Sequence, residues 1–240
     1  MQDITGKTAL ITGGSKGIGY GIAESLLAKG VKVVITSRSQ EAAEKAAEQL
    51  RNSTGGEVIG LEADVRDLAS QQRSVQAAID AFGKLDVLVA NAGVGHFAPI
   101  TELTPDQWKD TIDINLTGVY NSIKAGVDAL IDSKGYFITI ASLAGTNFFA
   151  TGAAYNASKF GLVGFTQAVM LDLRQKGVKC STIMPGSVAT YFNNHVPNPA
   201  DAWKIQPEDI GQIVVDLLEM HPRTLPSKIE VRPSMPPVKK

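Results

Sequence analysis

The chain has 240 residues, of which 44% are hydrophobic and 20% charged, as is typical of a globular protein with a sizeable core. Its 23 basic and 24 acidic side chains give a formal net charge of −1, which excludes the strongly basic character of proteins that bind nucleic acid or an anionic membrane. The single cysteine, Cys180, excludes an internal disulfide, and its apolar neighbours favour a buried, inert thiol.

Membrane and metal proteins are two further classes that the sequence does not indicate. It contains neither an uninterrupted apolar span of about 20 residues nor a signal-peptide pattern near its start, so we expect a cytoplasmic protein with no membrane partner. The histidines, His96, His195 and His221, lie far apart without the spacing of metal ligands, so no metal site is predicted.

The first half of the chain alternates short apolar segments with segments that favour helices. The predicted strands have the sequences KTALIT, VKVVIT, GEVIGLEADV and KLDVLVANAG. The fourth is almost wholly apolar, as expected when both faces of a parallel sheet are covered. The predicted helices between these strands are YGIAESLLAKG, QEAAEKAAEQL and DLASQQRSVQAAIDAFG.

The second half of the chain continues this alternation. We predict a long helix over 105–131, in one or two pieces, and then the helices AAYNASKFGLVGFTQAVMLDLRQKG and PEDIGQIVVDLLEM. The strands are GYFITIAS, VKCSTIMPG and SKIEVRPS. Seven strands that alternate with helices predict one α/β domain over 1–240, a doubly wound parallel sheet with helices on both faces. The proline-rich segment 233–240 is expected to be irregular.

A cluster of glycines lies directly between the first predicted strand and the first predicted helix. Gly13, Gly14, Gly17 and Gly19 belong to the sequence TGGSKGIG. Without β-carbons the backbone can approach a pyrophosphate closely, and the helix N-terminus adds N–H donors and a positive dipole. Glycine also serves ordinary tight turns, but this position favours dinucleotide binding.

A tyrosine and a lysine stand four positions apart in the sequence AAYNASKFG. On one helix, Tyr155 and Lys159 would share a face, with their β-carbons about 6 Å apart. A phenol with a pKa of about 10 is a poor acid near neutrality, and a nearby positive charge lowers that pKa. The alternative is a packed aromatic ring whose neighbour happens to be basic, and the spacing alone does not decide between the two.

Six blocks of the sequence are informative when taken together: TGGSKGIG, NAG at 91–93, INLTG with Asn115, Ser142 placed 13 residues before Tyr155, Y-x-x-x-K at 155–159, and PGSVAT at 185–190. Together these blocks resemble the short-chain dehydrogenase/reductase family. They occur in the family's order over roughly residues 5–232. The resemblance implies a Rossmann-type domain and an NADPH-dependent oxidoreductase that reduces a ketone or aldehyde, either 3-oxoacyl-acyl-carrier-protein reductase-like or of broad specificity.

The resemblance also implies the roles of four catalytic residues. Tyr155 would be the acid–base group, with its pKa lowered by Lys159, which in the family also binds the nicotinamide ribose. Ser142 would hold the substrate oxygen, and Asn115 would hold a water that links Lys159 to solvent. As alternatives, Ser142 could cap the end of a strand, and Asn115 could satisfy buried backbone at a polar kink in its helix.

The family's cofactor-binding positions fall on both halves of the chain. The residues that the resemblance assigns to NADP(H) are Gly13, Ser15, Lys16, Gly17, Ile18, Gly19, Ser37, Arg38, Asp64, Val65, Asn91, Ala92, Gly93, Tyr155, Lys159, Pro185, Gly186, Val188 and Thr190.

The end of the second predicted strand distinguishes NAD from NADP. A carboxylate there would bind the ribose hydroxyls and repel a 2′-phosphate, but ITSRSQ has Ser37 and Arg38 with no acid before Glu41. Arg38 can bind a phosphate through two parallel N–H bonds, and Lys16 is a second cation within reach. The pattern resembles the NADP-preferring branch of the family, and the alternative is a pair of solvated surface cations. For Asp64, assigned to the adenine, the alternative is a turn or cap role.

The candidates for the substrate site lie on three loops that follow predicted strands four, five and six. Five of the seven are aromatic, which favours an apolar or aromatic substrate, with a general hydrophobic rim as an equal alternative. An extra acid–base role for one of the histidines is a further alternative. The candidates are His96, Phe97, Phe148, Phe149, Tyr191, Phe192 and His195.

Two segments depart from the family's pattern. The stretch 190–207 is too short for the helical lid of many relatives, which predicts a more open cleft. The ending EVRPSMPPVKK lacks the family's glycine-rich terminus, which weakens the case for a tetramer. We expect a homodimer or homotetramer, with a dimer through the helices at 105–131 and 154–176 by analogy. The alternative functions are an NAD-linked alcohol or sugar dehydrogenase and a non-catalytic NADP(H)-binding protein.

Overall fold

The structure, a computed structural model, describes residues 2–236. Its strands are β1 (Thr8–Ile11), β2 (Lys32–Ser37), β3 (Val58–Glu62), β4 (Val87–Ala90), β5 (Tyr136–Ile140), β6 (Lys179–Pro185) and β7 (Lys228–Val231). Its α-helices are α1 (Gly17–Leu27), α2 (Gln40–Thr54), α3 (Leu68–Phe82), α4 (Pro105–Ile112), α5 (Gly118–Ser133), α6 (Ala153–Leu173) and α7 (Pro207–Glu219). Of the tail predicted to be irregular, 237–240 lie outside the described residues.

The strands form one sheet in the order β3-β2-β1-β4-β5-β6-β7, and every neighbouring pair is parallel. The predicted doubly wound α/β fold is therefore confirmed. The chain builds outward from β1 to β3 and then returns to the other side of β1 with β4. The loops after β1 and β4 therefore part at the carboxyl edge, where sheets of this kind bind their ligands.

Side chains on the two faces of the sheet form two apolar cores. Ile11 and Ile35 belong to the core shared with α1, α2 and α7, whereas their neighbours Leu10 and Val34 belong to the core shared with α3, α5 and α6. Successive residues of a strand face opposite sides of the sheet, and here both sides are covered by helices. Two successive strand residues therefore both have to be apolar. Cys180 is fully buried in the second core, and burial raises the pKa of its thiol to about 12.

The helix predicted over 105–131 consists of two α-helices joined by a π-helical turn. α4 ends at Ile112, the turn spans Asp113–Thr117, and α5 begins at Gly118. A π-helical turn inserts one extra residue into the helix and is frequent at functional sites. The turn carries Asn115, whose side chain reaches α6.

The structure gives the bounds of three other segments more precisely than the sequence did. α1 begins at Gly17, within the glycine segment rather than after it. α6 ends at Leu173, and the chain then passes through a 3₁₀ turn to Gly177, whose φ of 84° stops the helix. The segment 190–206 has two 3₁₀ turns and no α-helix, in agreement with the prediction from its length. Within residues 2–236, no helix has both the length and the apolar character needed to cross a membrane.

Candidate active site

The glycine turn after β1 is fixed to the loop after β4 by buried hydrogen bonds. The Thr12 hydroxyl accepts from the backbone N–H groups of Asn91 and Ala92, at 3.0 and 3.1 Å. In return, Asn91 Nδ2 donates to the carbonyls of Thr12 and Gly13, at 2.9 and 3.1 Å. These bonds fix the turn to the loop after β4 at the point where the strand order reverses, so the Asn91 side chain is committed to holding the turn.

Two of the glycines have no room for a side chain. A β-carbon on Gly19 would lie 2.5 Å from Asn91 Nδ2 and 2.6 Å from the carbonyl oxygen of Gly13. One on Gly13, whose φ is 64°, would lie 3.0 Å from the α-carbon of Ala92. The predicted need for glycine therefore has a steric cause in the protein itself.

The N-terminus of α1 differs from those of the next three helices. The side chains of Ser39, Asp67 and Thr104 cap α2, α3 and α4 by accepting a hydrogen bond from the first turn. Lys16 occupies the same position before α1, and its side chain makes no such bond. The first N–H groups of α1 therefore keep their capacity to bind an anion, beside the predicted residues Ser15, Gly17 and Ile18.

The residues predicted to select the cofactor lie at the ends of β2 and β3. Ser37 ends β2, and Arg38 is exposed and bonds to no carboxylate of residues 2–236. Asp64 instead bonds the Arg66 guanidinium, at 2.6 and 3.0 Å, and also accepts from the Arg66 backbone N–H. These hydrogen bonds lower the pKa of Asp64, with a smaller effect from Arg38. Asp64 therefore has the turn role that was the alternative to contact with the adenine. The neighbouring Val65 is buried.

Lys16 reaches away from the turn toward the loop after β6. Its Nζ lies 5.9 Å from the ring centroid of Tyr191, a distance at which a cation and an aromatic ring attract each other. On the same loop, Thr190 packs 3.4 Å from the position of a β-carbon on Gly17, and its hydroxyl accepts from Phe192 N–H at 3.3 Å. The PGSVAT segment therefore contacts the glycine turn.

The rest of that segment is anchored on the sheet. Pro185 ends β6, and the Gly186 N–H donates to the carbonyl of Val231 on β7, at 2.8 Å. Val188 makes an isolated parallel bridge to Ile205. The predicted block 185–190 is therefore held at the carboxyl edge of the sheet, beside the glycine turn.

Tyr155 and Lys159 lie on one face of α6. The Lys159 Nζ is 5.7 Å from the ring centroid of Tyr155 and donates a 3.0 Å hydrogen bond to the carbonyl of Ile140, the last residue of β5. Lys159 is only 4% exposed, and Tyr155 is half-buried. The site thus brings together a phenol and a buried amine that no carboxylate neutralises within residues 2–236.

The pKa of Tyr155 moves opposite to the expected direction. Burial of the phenol raises its pKa above the ordinary value, and the neighbouring Ser142 side chain opposes that shift only in part. Burial also lowers the pKa of Lys159 to about 8, because removal from water disfavours the ammonium. The predicted lowering of the phenol's pKa by Lys159 is therefore wrong for this structure, because desolvation is the largest influence on the pKa of both groups.

Ser142 and Asn115 have both structural and candidate functional roles. The Ser142 hydroxyl accepts from the Ala144 N–H at 3.0 Å and so caps a short 3₁₀ turn after β5, close to the phenol. Asn115 accepts from Val94 N–H at 2.8 Å, and its Nδ2 donates to the Val94 carbonyl and the Ser158 hydroxyl. The π-helical turn is thereby tied to α6 and to the loop after β4, where Gly93 faces Asn115 and Lys159.

Two of the predicted substrate residues pack against Tyr155, and a third packs against one of these two. The ring centroids of Phe97 and Phe192 lie 5.3 and 5.7 Å from that of Tyr155. Phe149 joins the group at 5.8 Å from Phe97. Because these rings come from the loops after β4, β5 and β6, the three loops meet over the phenol.

The other four predicted substrate residues do not join this group. His96 Nε2 bonds Asp110 at 3.0 Å, and His195 Nε2 bonds Asp201 at 2.6 Å. Phe148 is 86% exposed and in no aromatic pair, and Tyr191 lies under Lys16. The two histidines are held in place by their carboxylate partners and not by burial within the group of aromatic rings.

Sequence reasoning missed three residues that shape the site. A β-carbon on Gly95 would lie 2.6 and 2.8 Å from the ring tips of Phe192 and Phe97. Asn156 donates to two carbonyls of the loop after β5, each at 2.8 Å. Ser158 accepts from Asn115 and donates to the Tyr155 carbonyl at 2.8 Å. The only sequence signal was the presence of polar residues beside Tyr155 in an otherwise small and apolar helix segment.

Known proteins resemble the chain over most of its length. A family model described as short chain dehydrogenase matches residues 7–200. The chain is 35% identical over 191 residues to a 3-oxoacyl-(acyl-carrier-protein) reductase of Synechocystis sp., which covers 79% of this chain and 77% of that protein. It is also 30% identical to glycine betaine reductase ATRR of Emericella nidulans over 98% of this chain, but the match spans only 19% of that longer protein.

The fold also superimposes closely on that of a solved structure. A metagenomic short-chain oxidoreductase in complex with NADP superimposes with a TM-score of 0.84 at 34% sequence identity. The superposition covers 98% of this chain and 100% of that one. The two proteins therefore share the same fold over nearly the whole chain.

Proposed function

The chain belongs to the short-chain dehydrogenase family of oxidoreductases, and from that membership we propose that it is an NADPH-dependent reductase of ketone or aldehyde carbonyls. The relative from Synechocystis is named a 3-oxoacyl-(acyl-carrier-protein) reductase, and the similar metagenomic structure holds NADP. Together they support 3-oxoacyl thioesters, or a broader set of ketones and aldehydes, as the substrates.

The carboxyl edge of the sheet fits a dinucleotide phosphate. The side-chain-free turn at Gly13 and Gly19 and the uncapped N-terminus of α1 would hold the pyrophosphate. Arg38, which pairs with no carboxylate in the described part of the chain, would bind the 2′-phosphate, with Lys16 as the second cation. The absence of an acid at the end of β2 removes the group that would repel this phosphate.

Three side chains of the site would manage the substrate oxygen and its proton. When bound, the nicotinamide of NADPH supplies the hydride that reaches the carbonyl carbon. Ser142 would donate a hydrogen bond to the carbonyl oxygen, where negative charge develops. Tyr155 would transfer its phenolic proton to that oxygen, and the Lys159 ammonium would stabilise the phenolate that remains.

The same geometry suggests how Tyr155 regains its proton. Lys159 is bonded to the Ile140 carbonyl and faces the loop that Asn115 holds at Gly93. We retain the prediction that a water at the π-helical turn links Lys159 to solvent. The high pKa of the buried phenol favours the protonated form that reduction requires at neutral pH.

The observation that carries this proposal is the position of the Lys159 amine, which lies 5.7 Å from the Tyr155 ring and is buried beside Gly93. The test is a panel of ketones, quinones, 3-oxoacyl thioesters and sugars, assayed by the loss of NADPH absorbance and repeated with NADH. We expect at least one carbonyl class to be reduced, with NADPH preferred.

Tyr155→Phe removes the proton donor while keeping the ring. We expect kcat to fall by about 10²- to 10⁴-fold, with NADPH affinity changed by less than about twofold because the cofactor's phosphate contacts are elsewhere. Tyr120→Phe, at an exposed position on α5, is the matched control and should retain activity. Retention of most activity by Tyr155→Phe would refute the role of the phenol.

We also propose that the enzyme works in the cytoplasm as a homo-oligomer. The exposed aromatic side chains Tyr120 on α5 and Phe160 on α6 support an association surface on these helices, where Tyr120 also packs on the partly buried Phe165. Light scattering coupled to gel filtration measures the assembly directly, and a monomer at micromolar concentration would contradict this part of the proposal.

A further inference from the structure

The rings nearest the phenol form a pair with a defined shape. The centroids of Phe97 and Phe192 lie 6.3 Å apart with their planes at 65°, and each ring is also tilted against Tyr155, at 68° and 54°. Such edge-to-face arrangements are favoured by the positive edge and negative face of aromatic rings. Phe97 and Phe192 therefore surround the reacting group with oriented aromatic surfaces.

These two rings remain partly open to solvent. Phe97 is 36% and Phe192 38% exposed, so each keeps an apolar surface that is not covered by the protein. Both ring tips converge on Gly95, where a β-carbon would be too close to either one. Gly95 therefore sets how far the two rings can close over the site.

The polar side chains on the same loops are engaged elsewhere. His96 is bonded to Asp110, and His195 to Asp201, whose other carboxylate oxygen bonds Lys204 at 2.6 Å. The Nε2 atom of each histidine is therefore engaged by a carboxylate, and neither histidine belongs to the group of rings around Tyr155. What faces the phenol from these loops is hydrocarbon.

We propose that Phe97 and Phe192 form an aromatic clamp that selects substrates whose carbonyl is attached to an aromatic ring. The inference rests on the proposed carbonyl reduction and names its substrate class. A flat ring packed on the solvent-exposed surfaces of Phe97 and Phe192, at the edge of Tyr155, would contact both rings at the roughly 4.5–7 Å centroid distances that aromatic pairs prefer. A flexible alkyl chain would bury apolar area there but gain no oriented contact, and it would lose conformational freedom.

The test compares two ketones that share an acetyl group and the number of carbon atoms, methyl phenyl ketone and methyl hexyl ketone. For the wild-type enzyme with NADPH, we expect kcat/KM to favour the phenyl ketone by about tenfold, the value of one or two aromatic contacts. Phe97→Leu and Phe192→Leu keep an apolar side chain but remove the ring, and each should lower this ratio about threefold or more.

Two further variants separate the clamp from general effects on the protein. Phe148→Leu is the matched control, because this ring is 86% exposed and makes no aromatic pair, so it should leave the ratio unchanged. Gly95→Ala keeps both rings but displaces their tips, and it should lower the ratio as well. Thermal melting of every variant confirms that each is folded.

A binding measurement makes the outcome independent of turnover. Saturation-transfer NMR with each ketone should show tighter binding of the phenyl ketone, and Phe192→Leu should reduce that difference. Equal binding and equal kcat/KM for the two ketones, or a preference that survives both leucine substitutions, would overturn the clamp. Failure of every carbonyl to consume NADPH would instead refute the proposed function, and the NMR comparison would still decide on the clamp.

Discussion

The nucleotide edge and the substrate loops are built in different ways. Around Gly13 and Gly19 the backbone itself forms the surface, and the buried bonds between Thr12 and Asn91 fix it. Around Tyr155 the surface consists of side chains from three loops, held by contacts between rings. A backbone site tolerates few residue types and so is readable from sequence, whereas a side-chain site depends on which rings meet.

Lys159 lies where the two regions join, and its burial gives the largest effect that we predict on stability. The pKa of Lys159 is about 8 in the folded protein against an ordinary 10.5. The folded state therefore binds fewer protons than the unfolded chain between these two values, so stability rises with pH across that window. Below it the charged amine destabilises the fold by about 3 kcal/mol.

Removing the buried amine tests whether its charged form destabilises the fold in this pH-dependent way. Lys159→Met should raise the free energy of unfolding by up to about 3 kcal/mol at pH 7, with the gain shrinking as the pH approaches the ordinary lysine value of 10.5. Urea unfolding at several pH values measures the gain. Lys124→Met, at an exposed position on α5, is the control and should show no such pH dependence. A gain that stays constant with pH would contradict the assigned cause.

Gly19→Ala tests whether the glycine turn at the nucleotide edge binds the cofactor. Because the new β-carbon would crowd Asn91 and the Gly13 carbonyl, the turn has to shift, at about 1–3 kcal/mol. We expect NADPH affinity to fall about tenfold to a hundredfold, measured by cofactor fluorescence titration. The control is Gly164→Ala on α6, where an added β-carbon would meet no atom within 4 Å and helix propensity should add stability. Unchanged NADPH affinity in Gly19→Ala would show that the turn does not bind the cofactor.

Arg38→Asp tests the same edge of the sheet and should have a smaller effect on cofactor binding. Loss of a charge-assisted bond to the 2′-phosphate, together with a new repulsion, should shift the ratio of NADPH to NADH affinity by about tenfold or more toward NADH. Lys45→Asp makes the same charge change on the exposed face of α2 and should leave the ratio near its wild-type value. An unchanged ratio in Arg38→Asp would place the phosphate elsewhere.

Much of the fold was predictable because strands and helices are encoded over a few neighbouring residues. The apolar runs around Leu10 and Val34 mark their strands locally. The π-helical turn at Asn115 was expected only as a break in one helix, because an inserted residue leaves no periodic signal of its own.

The candidate site shows the same limit more sharply. Phe148 and Phe149 are adjacent and identical, yet only Phe149 joins the aromatic group. The carboxylates that hold the two histidines, Asp110 and Asp201, carry no motif that marks them as partners. Such pairings depend on how separate loops meet, and no local pattern records that.

The doubly wound sheet, the glycine turn and the shared face of Tyr155 and Lys159 could all be predicted from the residues alone. Each of these follows from backbone sterics or helix periodicity within a short segment. The folded structure was needed to show which rings approach the phenol, that Asp64 bonds Arg66, and that burial raises the pKa of Tyr155. Contacts and desolvation depend on residues far apart in the chain, so they exist only once the chain has folded.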